Sequence, residues 1–549
     1  LLTSAVFRYG DTPSADSREI LYYEDGRTAT VSAHVITDGG LVVLSTNGKP
    51  DASLGVRWFS EHRDSTPPTP LSSEGDYTTQ LLAPLVGAAF APEAKAVAII
   101  GHGSGMSGQA FLTRPDLDRL VTIEIEPAMV EGSMLFLPVN EAVFTDPRSR
   151  FVFDDAKSYL AYSQDQFDIL FAEPSNPWVS GVAGLFSMEF YARMRNVVAD
   201  DGVLVQWVHL YELDDNLFLS VLAALDRSFP YYRAYLVGPA DVVIVASSEA
   251  PLRSADWSVL GERGVLEMTH GIPRFEGVHL EAAFLFDEMT FRPLLDGVRP
   301  NSDFRPTLDS GAERARFLGS RAEGVLSFTD DRIDLVSTWT EALRSPLEYA
   351  LVPTRDLQPM MDFGHGAWMR SAVEDGGAIA PLQYPEWTSN LVQLANFYST
   401  LSNPKNRTTR EWITWTRTFQ SVEGYLHWGT SGWTHQAFYD AIFAMLAERN
   451  VPAEARAAVS LMFAVNTFDW PSAAAAADEL VAPVAAGEEW LSPSLLLDAA
   501  VLAYSKTGRL ADGHDALKLL SPGAGQVEKN ARLRLLETLL RPAPHAWGH

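Results

Sequence analysis

Residues 96–105 read Ala-Val-Ala-Ile-Ile-Gly-His-Gly-Ser-Gly, five apolar residues running directly into a glycine-studded turn. A short, wholly apolar run of this kind reads as a strand buried on both faces. Gly101, Gly103 and Gly105 let the backbone turn sharply and lie close against a ligand. A tight strand-to-helix turn needs glycine even without a ligand, so the motif takes its meaning from its spacing to acidic residues downstream. Glu124 comes about twenty positions later, at the end of the next apolar run (120–125), where a carboxylate can accept both hydroxyls of a ribose. Asp154-Asp155-Ala156 closes a third run (150–153), where an acidic side chain can accept an adenine amino group. Three such strand ends converge on one crevice. No G-x-G-x-x-G is present, because Met106 comes next and the glycines fall at 101, 103, 105 and 108. That favours an S-adenosyl ligand over a dinucleotide, whose pyrophosphate needs a helix N-terminus.

Working outward, apolar runs at 167–172 and 202–208 alternate with helical periodicity at 186–198 and 216–229, with Asp214 and Asp215 available as caps. Short buried strands joined by helices predict a parallel, doubly wound sheet. Two last strands, 231–237 and 241–247, are linked by Gly238-Pro239-Ala240, a turn so short that the pair must be antiparallel. The expected class is therefore α/β, of the methyltransferase type. Upstream, 19–23, 28–36 and 41–46 read as a small β unit with turns at Asp25-Gly26, Gly39-Gly40 and Asn47-Gly48. Residues 53–75, with Pro67, Pro68 and Pro70, read as a long loop. Beyond about residue 330 strand signals stop. Helical runs at 453–465, 472–484 and 494–507 take over, and 500–517 looks like one tetratricopeptide-type helix-turn-helix with Gly508 at its turn. The expected domains are 1–80, 81–325 and an irregular helical-hairpin domain over 326–549, whose tryptophans read as core filling.

Composition bounds the function. The 549 residues are too many for one core, and the formal net charge of −28 argues against a nucleic-acid partner. With no cysteine, disulfides, thiolate metal sites and cysteine nucleophiles are excluded. The longest apolar run, 81–92, carries prolines and falls well short of the ~20 residues a membrane helix needs. The chain opens on Leu1 with no signal-peptide pattern, as expected of a processed product or of the soluble part of something longer. No His/Asp/Glu spacing reads as a metal site. His102 reads as a partly exposed loop residue rather than a base.

One further stretch carries a resemblance. Phe167-Asp-Ile-Leu-Phe-Ala-Glu-Pro-Ser-Asn-Pro-Trp178 is followed by Ser180-Gly-Val-Ala-Gly-Leu-Phe186, then by an aromatic helix near Glu189-Phe190-Tyr191 and by Gly202 to Gln206. This resembles polyamine (spermidine) synthases. It is similar in particular to the spermidine-synthase-like domains fused to membrane helices in bacteria, which share an N-G-K-x-D-A-S stretch (Asn47 to Ser53). Those domains also carry a late motif that Asn301-Ser-Asp-Phe-Arg-Pro-Thr-Leu-Asp309 matches with three changes. The resemblance covers about residues 18–310. It implies that Gly101, Gly103, Ser104 and Gly105 form the adenosyl loop, Glu124 holds the ribose and Asp155 the adenine. Glu173 would be the catalytic carboxylate, with Asp76, Tyr77, Gln80 and Asn176 around the substrate.

The implied reaction is transfer of an aminopropyl group to a small-molecule amine, with S-adenosylmethionine or its decarboxylated form as donor and no metal. An amine with a pKa of ~10 needs a base before it becomes a nucleophile. The chain departs from the synthases at Ser104 and Asn176, where they are acidic, and in the stretch Glu74-Gly75-Asp76-Tyr77, where the tyrosine is displaced. Those departures keep two alternatives open: a methyltransferase, or a non-catalytic scaffold recruiting protein partners through the helical domain. The expected location is cytoplasmic, where S-adenosyl donors are made. A membrane-bound parent or neighbour and a homo-oligomer both remain compatible with the sequence.

Overall fold

A computed structural model describes residues 18–36, 40–55, 76–269, 277–330, 333–341, 385–401, 407–427, 430–447, 450–521 and 530–542. The first element is an antiparallel sheet in the order β1 (Arg18–Asp25), β2 (Thr30–Ile36), β3 (Leu41–Thr46), β4 (Lys49–Gly55). Asn47 and Gly48, at φ of 50° and 78°, supply the left-handed pair that a two-residue hairpin turn requires. The stretch from Asn47 to Ser53 is therefore mostly strand. Pro50 and Asp51 disguise it, and a register shift between Leu44 and Ser45 carries the pairing past Pro50. Residues 56–75, which hold the rest of the expected long loop with Glu74 and Gly75, lie outside the described residues.

The second sheet has eight strands. They are β5 (Ala96–Ile100), β6 (Arg119–Glu124), β7 (Ser149–Phe153), β8 (Phe167–Ala172), β9 (Val198–His209), β10 (Tyr231–Leu236), β11 (Asp241–Ser247) and β12 (Phe284–Asp287). Their spatial order is β12-β10-β11-β9-β8-β5-β6-β7. β5 pairs in parallel with β6 and β8, β6 with β7, and β8 with β9. β11 inserts antiparallel between β9 and β10, which gives the methyltransferase-type sheet expected from the short turn at 238–240. β12, which adds to the edge against β10, has no counterpart in the sequence reading.

Helix α1 (Tyr77–Phe90) precedes β5 and absorbs the apolar run at 81–92, Pro84 included. α2 (Met106–Leu112), α3 (Pro127–Ser133), α4 (Ala156–Tyr162), α5 (Met188–Val197) and α6 (Asp215–Asp226) come after the strands. Asp155, Ser187 and Asp214 cap α4, α5 and α6 through their side chains. Val97, Leu120, Ile169 and Phe171 are inaccessible to solvent, so the central strands form the core. The chain leaves β5 toward β6 and β7 on one side and returns to β8 on the other. The switch point, where a ligand crevice opens in such sheets, therefore lies between β5 and β8.

The described residues fall into two compact units, one up to Ala322 and one from Glu323. The second unit is built of helices, among them α7 (Thr409–His427), α8 (Ala453–Asn466), α9 (Trp470–Ala485), α10 (Pro493–Lys506) and α11 (Leu510–Leu520). Gly508, at φ 73°, makes the α10–α11 turn. Trp412, Trp415, Trp470 and Trp490 are buried in this unit's own core. Among the described residues no helix is long and apolar enough to cross a membrane.

Candidate active site

The crevice over the switch point is a cavity of about 940 Å³. Gly101, Gly103 and Gly105 all adopt positive φ (91°, 54° and 82°), the backbone that L side chains rarely take. A Cβ on Gly101 would lie 2.6 Å from the Glu173 carbonyl oxygen, so this glycine is what lets β5 and β8 end side by side. β4 crosses above the loop, with the Ala52 Cβ 3.9 Å from where a Gly103 Cβ would sit.

Glu124 braces the loop. Its Oε2 accepts from the His102 amide at 2.9 Å and its Oε1 from the Glu126 amide at 2.8 Å, leaving one further acceptor site on each oxygen. Burial pushes its carboxyl up to about 7 against the pull of those amides. Asp155 lines the cavity but already works as the cap of α4, its Oδ2 accepting from the Ser158 amide and hydroxyl at 2.9 and 3.1 Å. Ser104 is buried and donates to Gln80 Oε1. His102 corrects the sequence reading, since it is buried rather than partly exposed. Its Nε2 lies 2.8 Å from Ser133 Oγ, its ring sits edge-on to Phe151, and burial drops its pKa to about 3. The ring is a neutral packing group.

Glu173 follows β8 and faces the cavity, its Oε2 accepting from Ser107 Oγ at 2.9 Å. Burial first, then the Asp76 and Asp241 carboxylates, push it up to about 7 against that hydrogen bond. Asp76 stands just before α1, accepts from Ser53 Oγ at 2.8 Å and lines the same wall as Gln80. It keeps surface open to the cavity while surrounded by protein atoms, and this desolvation raises its pKa. Tyr77 is not brought to the site. It is fully buried away from the cavity and donates to the Met268 carbonyl at 2.5 Å. Asp76 and Gln80, four apart, share a helix face, whereas Tyr77 is turned about 100° from Asp76. Asn176 lines the cavity with its Nδ2 3.3 Å from His209 Nε2.

Residue-level reading missed three contributors. Lys49, nearly buried, reaches Asp51 Oδ1 at 2.6 Å and Ser175 Oγ at 2.7 Å from the N-terminal sheet. Ser107 holds Glu173. Asp241 enters from the antiparallel β11, its Oδ1 accepting from Trp207 Nε1 at 3.1 Å. Burial, then Asp76, push Asp241 up to about 7. The signal for Asp241 was an acidic residue at the head of a strand after a tight turn. Among the described residues no group of His, Asp or Glu could hold a metal ion.

Residues 78–240 match the family model of the spermine/spermidine synthase domain. This part of the chain is a spermidine-synthase-like domain. A polyamine aminopropyltransferase of Thermoanaerobacter sp. is 27% identical over 142 residues, 26% of this chain and 51% of that protein. That of Thermoplasma volcanium is 35% identical over 108 residues, 20% of this chain and 38% of that protein. The chain thus spans about half the length, or less, of these curated relatives. Among solved structures, the spermidine synthase of Thermotoga maritima aligns at 18% identity, with a TM-score of 0.38, over 50% of this chain and 86% of that one.

Proposed function

We propose that the spermidine-synthase-like domain is an S-adenosyl-dependent transferase that moves an aminopropyl group from decarboxylated S-adenosylmethionine to an amine. The observation that supports this best is Glu173: a desolvated carboxyl with a pKa near 7, held by Ser107 against the glycine loop. A base so poised is half ionised near neutrality and can take a proton from an ammonium held beside it. The amine nitrogen then attacks the propyl carbon bound to sulfur. The C–N bond forms as the C–S bond breaks, and the sulfonium electron pair returns to neutral methylthioadenosine. In this reading Glu124 accepts from the ribose hydroxyls and Asp155 from the adenine amino group, while Asp76, Gln80 and Asn176 line the acceptor side. An enzyme using this donor would work in the cytoplasm, where it is made. The helical unit would serve as an interaction module.

Methyl transfer from S-adenosylmethionine is the second reading, favoured by the neutral Ser104 beside the loop and by the cationic Lys49 in the crevice wall. Titration calorimetry with S-adenosylmethionine, its decarboxylated form and methylthioadenosine separates the two. Aminopropyl transfer expects preference for the decarboxylated donor, and preference for S-adenosylmethionine would replace it with methyl transfer. Binding of none of the three would leave a scaffold that keeps the fold.

A further inference from the structure

We infer that the Lys49–Asp51 pair, with Ser175, is a binding site for an α-amino-acid group, Lys49 taking its carboxylate and Asp51 its ammonium. The inference rests on the adenosyl-binding part of the reading above and adds the chemical class of what lies beside the nucleoside. Two ligands would bring that group: a donor with the tail of S-adenosylmethionine, or an acceptor that is itself an amino acid.

The pair stands on β4, which crosses above the glycine loop, and both side chains border the cavity. Lys49 is 4% exposed and the Asp51 side chain 10%. Lys49 Nζ donates to Asp51 Oδ1 at 2.6 Å and to Ser175 Oγ at 2.7 Å, and Ser175 Oγ donates in turn to Asp51 Oδ1 at 2.8 Å. An ammonium has three N–H donors, so one of them is left without a partner among the described residues. Asp51 Oδ2 is buried and has no partner among them either. One donor and one acceptor thus stand unmet, side by side, in the wall of the crevice. A carboxylate with an ammonium on the neighbouring carbon meets both, through charge-assisted hydrogen bonds. A purely structural role accounts poorly for the pair, because burying two charges carries a desolvation cost that apolar residues would not.

Neighbouring charges fix where such a group would lie. The Asp51 charge acts on Glu124 and the Lys49 charge on Asp76, so the pair stands between the carboxyl given to the ribose and those around Glu173. Ser175, which receives Lys49, comes two residues after Glu173. The loop beside it does not repel an anion, since residues 101–105 carry no carboxylate and the Ser104 hydroxyl is committed to Gln80. Lys157, the other cation lining the cavity among the described residues, serves elsewhere. It follows Asp155 on α4 and is bonded to Asp303 at 2.9 Å, with its side chain 27% exposed. A ligand with an ammonium alone would leave the third Lys49 donor unmet.

The test uses the full chain and two pairs of probes, each pair differing by one carboxylate. S-adenosylhomocysteine and its decarboxylated analogue, 5′-deoxy-5′-(3-aminopropylthio)adenosine, report a donor tail. For an acceptor, 2,4-diaminobutanoate and 1,3-diaminopropane are titrated into protein saturated with methylthioadenosine. The carboxylated member should bind roughly 10-fold or more tightly in one of the pairs, and which pair it is assigns the group to donor or acceptor. Lys49→Met keeps the stem and drops the charge. It should weaken the carboxylated member by roughly 10–100-fold and leave methylthioadenosine within about twofold. The double variant Lys49→Met/Asp51→Asn leaves no unpaired buried charge and should lose the same preference, so a poorly folded single variant does not shelter the inference. A parent protein that binds methylthioadenosine yet favours the carboxylated member of neither pair overturns the inference alone. So does a preference that survives in both variants. A parent that binds no adenosyl compound overturns the adenosyl reading, and this site with it.

Discussion

Glu173 shows how a site side chain can work against the fold that holds it. Its carboxyl ordinarily titrates near 4.5 and is pushed up to about 7 by burial and by Asp76 and Asp241. Between those values the folded protein holds a proton that the unfolded chain has released. Stability is therefore fully present below about pH 4.5 and declines as pH rises through 7. Glu124 and Asp241 titrate in the same direction. Glu173→Gln should flatten part of that decline, raising the ligand-free melting temperature at pH 8 by about 3–6 °C while leaving it unchanged at pH 4.5. Scanning calorimetry at both pH values checks this, and equal melting curves at pH 8 would refute the burial argument. The same substitution should cut amine turnover by ~10²–10⁴, the usual value of a positioned base. Glu124→Gln replaces one acceptor oxygen by an amino group, and should weaken methylthioadenosine binding roughly 10–100-fold; unchanged affinity would end its ribose assignment. Glu124 and Glu173 both line the cavity: Glu124 was singled out by its place at a strand end after the glycine turn, and Glu173 by the resemblance to spermidine synthases. Asp241 was not, since its strand enters the sheet only by inserting between two others. Tyr77 misled because helix phase, which residue type does not reveal, decides which of four neighbouring residues face inward.

At the level of elements, two clasps complete the crevice. Glu126 caps α3 and at the same time takes the Thr28 amide (2.6 Å), the Thr28 hydroxyl (2.8 Å) and the Ala29 amide (3.2 Å) from the β1–β2 turn. Burial alone would raise its carboxyl, yet these donors hold it below the ordinary range. Its contribution is present above pH 4.5 and is lost as pH falls through the lowered value. The turn closes on it so tightly that a Cβ on Gly26 would sit 2.3 Å from Glu126 Oε1. Glu126→Ala should loosen β1–β4, and with them Lys49 and Asp51 in the cavity wall. Hydrogen exchange should then rise across 28–55 and stay unchanged in β5 and β8, whereas unaltered exchange in 28–55 would show that the sheet is held without it. The second clasp explains the late motif at 301–309. Asn301 Nδ2 donates to the Ala183 and Phe186 carbonyls at 2.9 and 3.1 Å, and its Oδ1 accepts from the Leu308 amide at 3.1 Å. Ser302 Oγ and the Asp303 amide both bond to Glu189 on α5. Asn301→Ala leaves three buried backbone groups unpaired, so it should cost about 2–4 kcal/mol by urea unfolding. A loss below about 0.5 kcal/mol would mean water replaces the amide. The sequence displayed this motif, but only contacts across more than a hundred residues reveal that it holds the segment after Glu173.

For the whole molecule the question is which part the chemistry needs. Every described residue lining the cavity lies between Thr28 and Asp241, inside the unit that closes at Ala322. The helical unit has its own means of cohesion. Glu423 accepts from Tyr439 at 3.1 Å and from Asn466 at 2.7 Å, Arg532 and Asp498 pair at 2.5 Å in the interior, and Trp412, Trp415 and Phe419 are buried as well. A buried ion pair holds its charges at tolerable cost only where each partner compensates the other inside the same core. The sequence shows strand patterning giving way to helix patterning near residue 330, where a boundary at 325/326 was expected, and the described residues divide at 322/323. A chain ending at residue 322 should therefore stay folded, melt cooperatively and bind methylthioadenosine within about twofold of the full chain. The complementary piece from residue 323 should show helical circular dichroism and no nucleoside binding. Aggregation of the shorter piece with loss of binding would mean that its core is incomplete without the helices, and the chemistry would then have to be assigned to the chain as a whole.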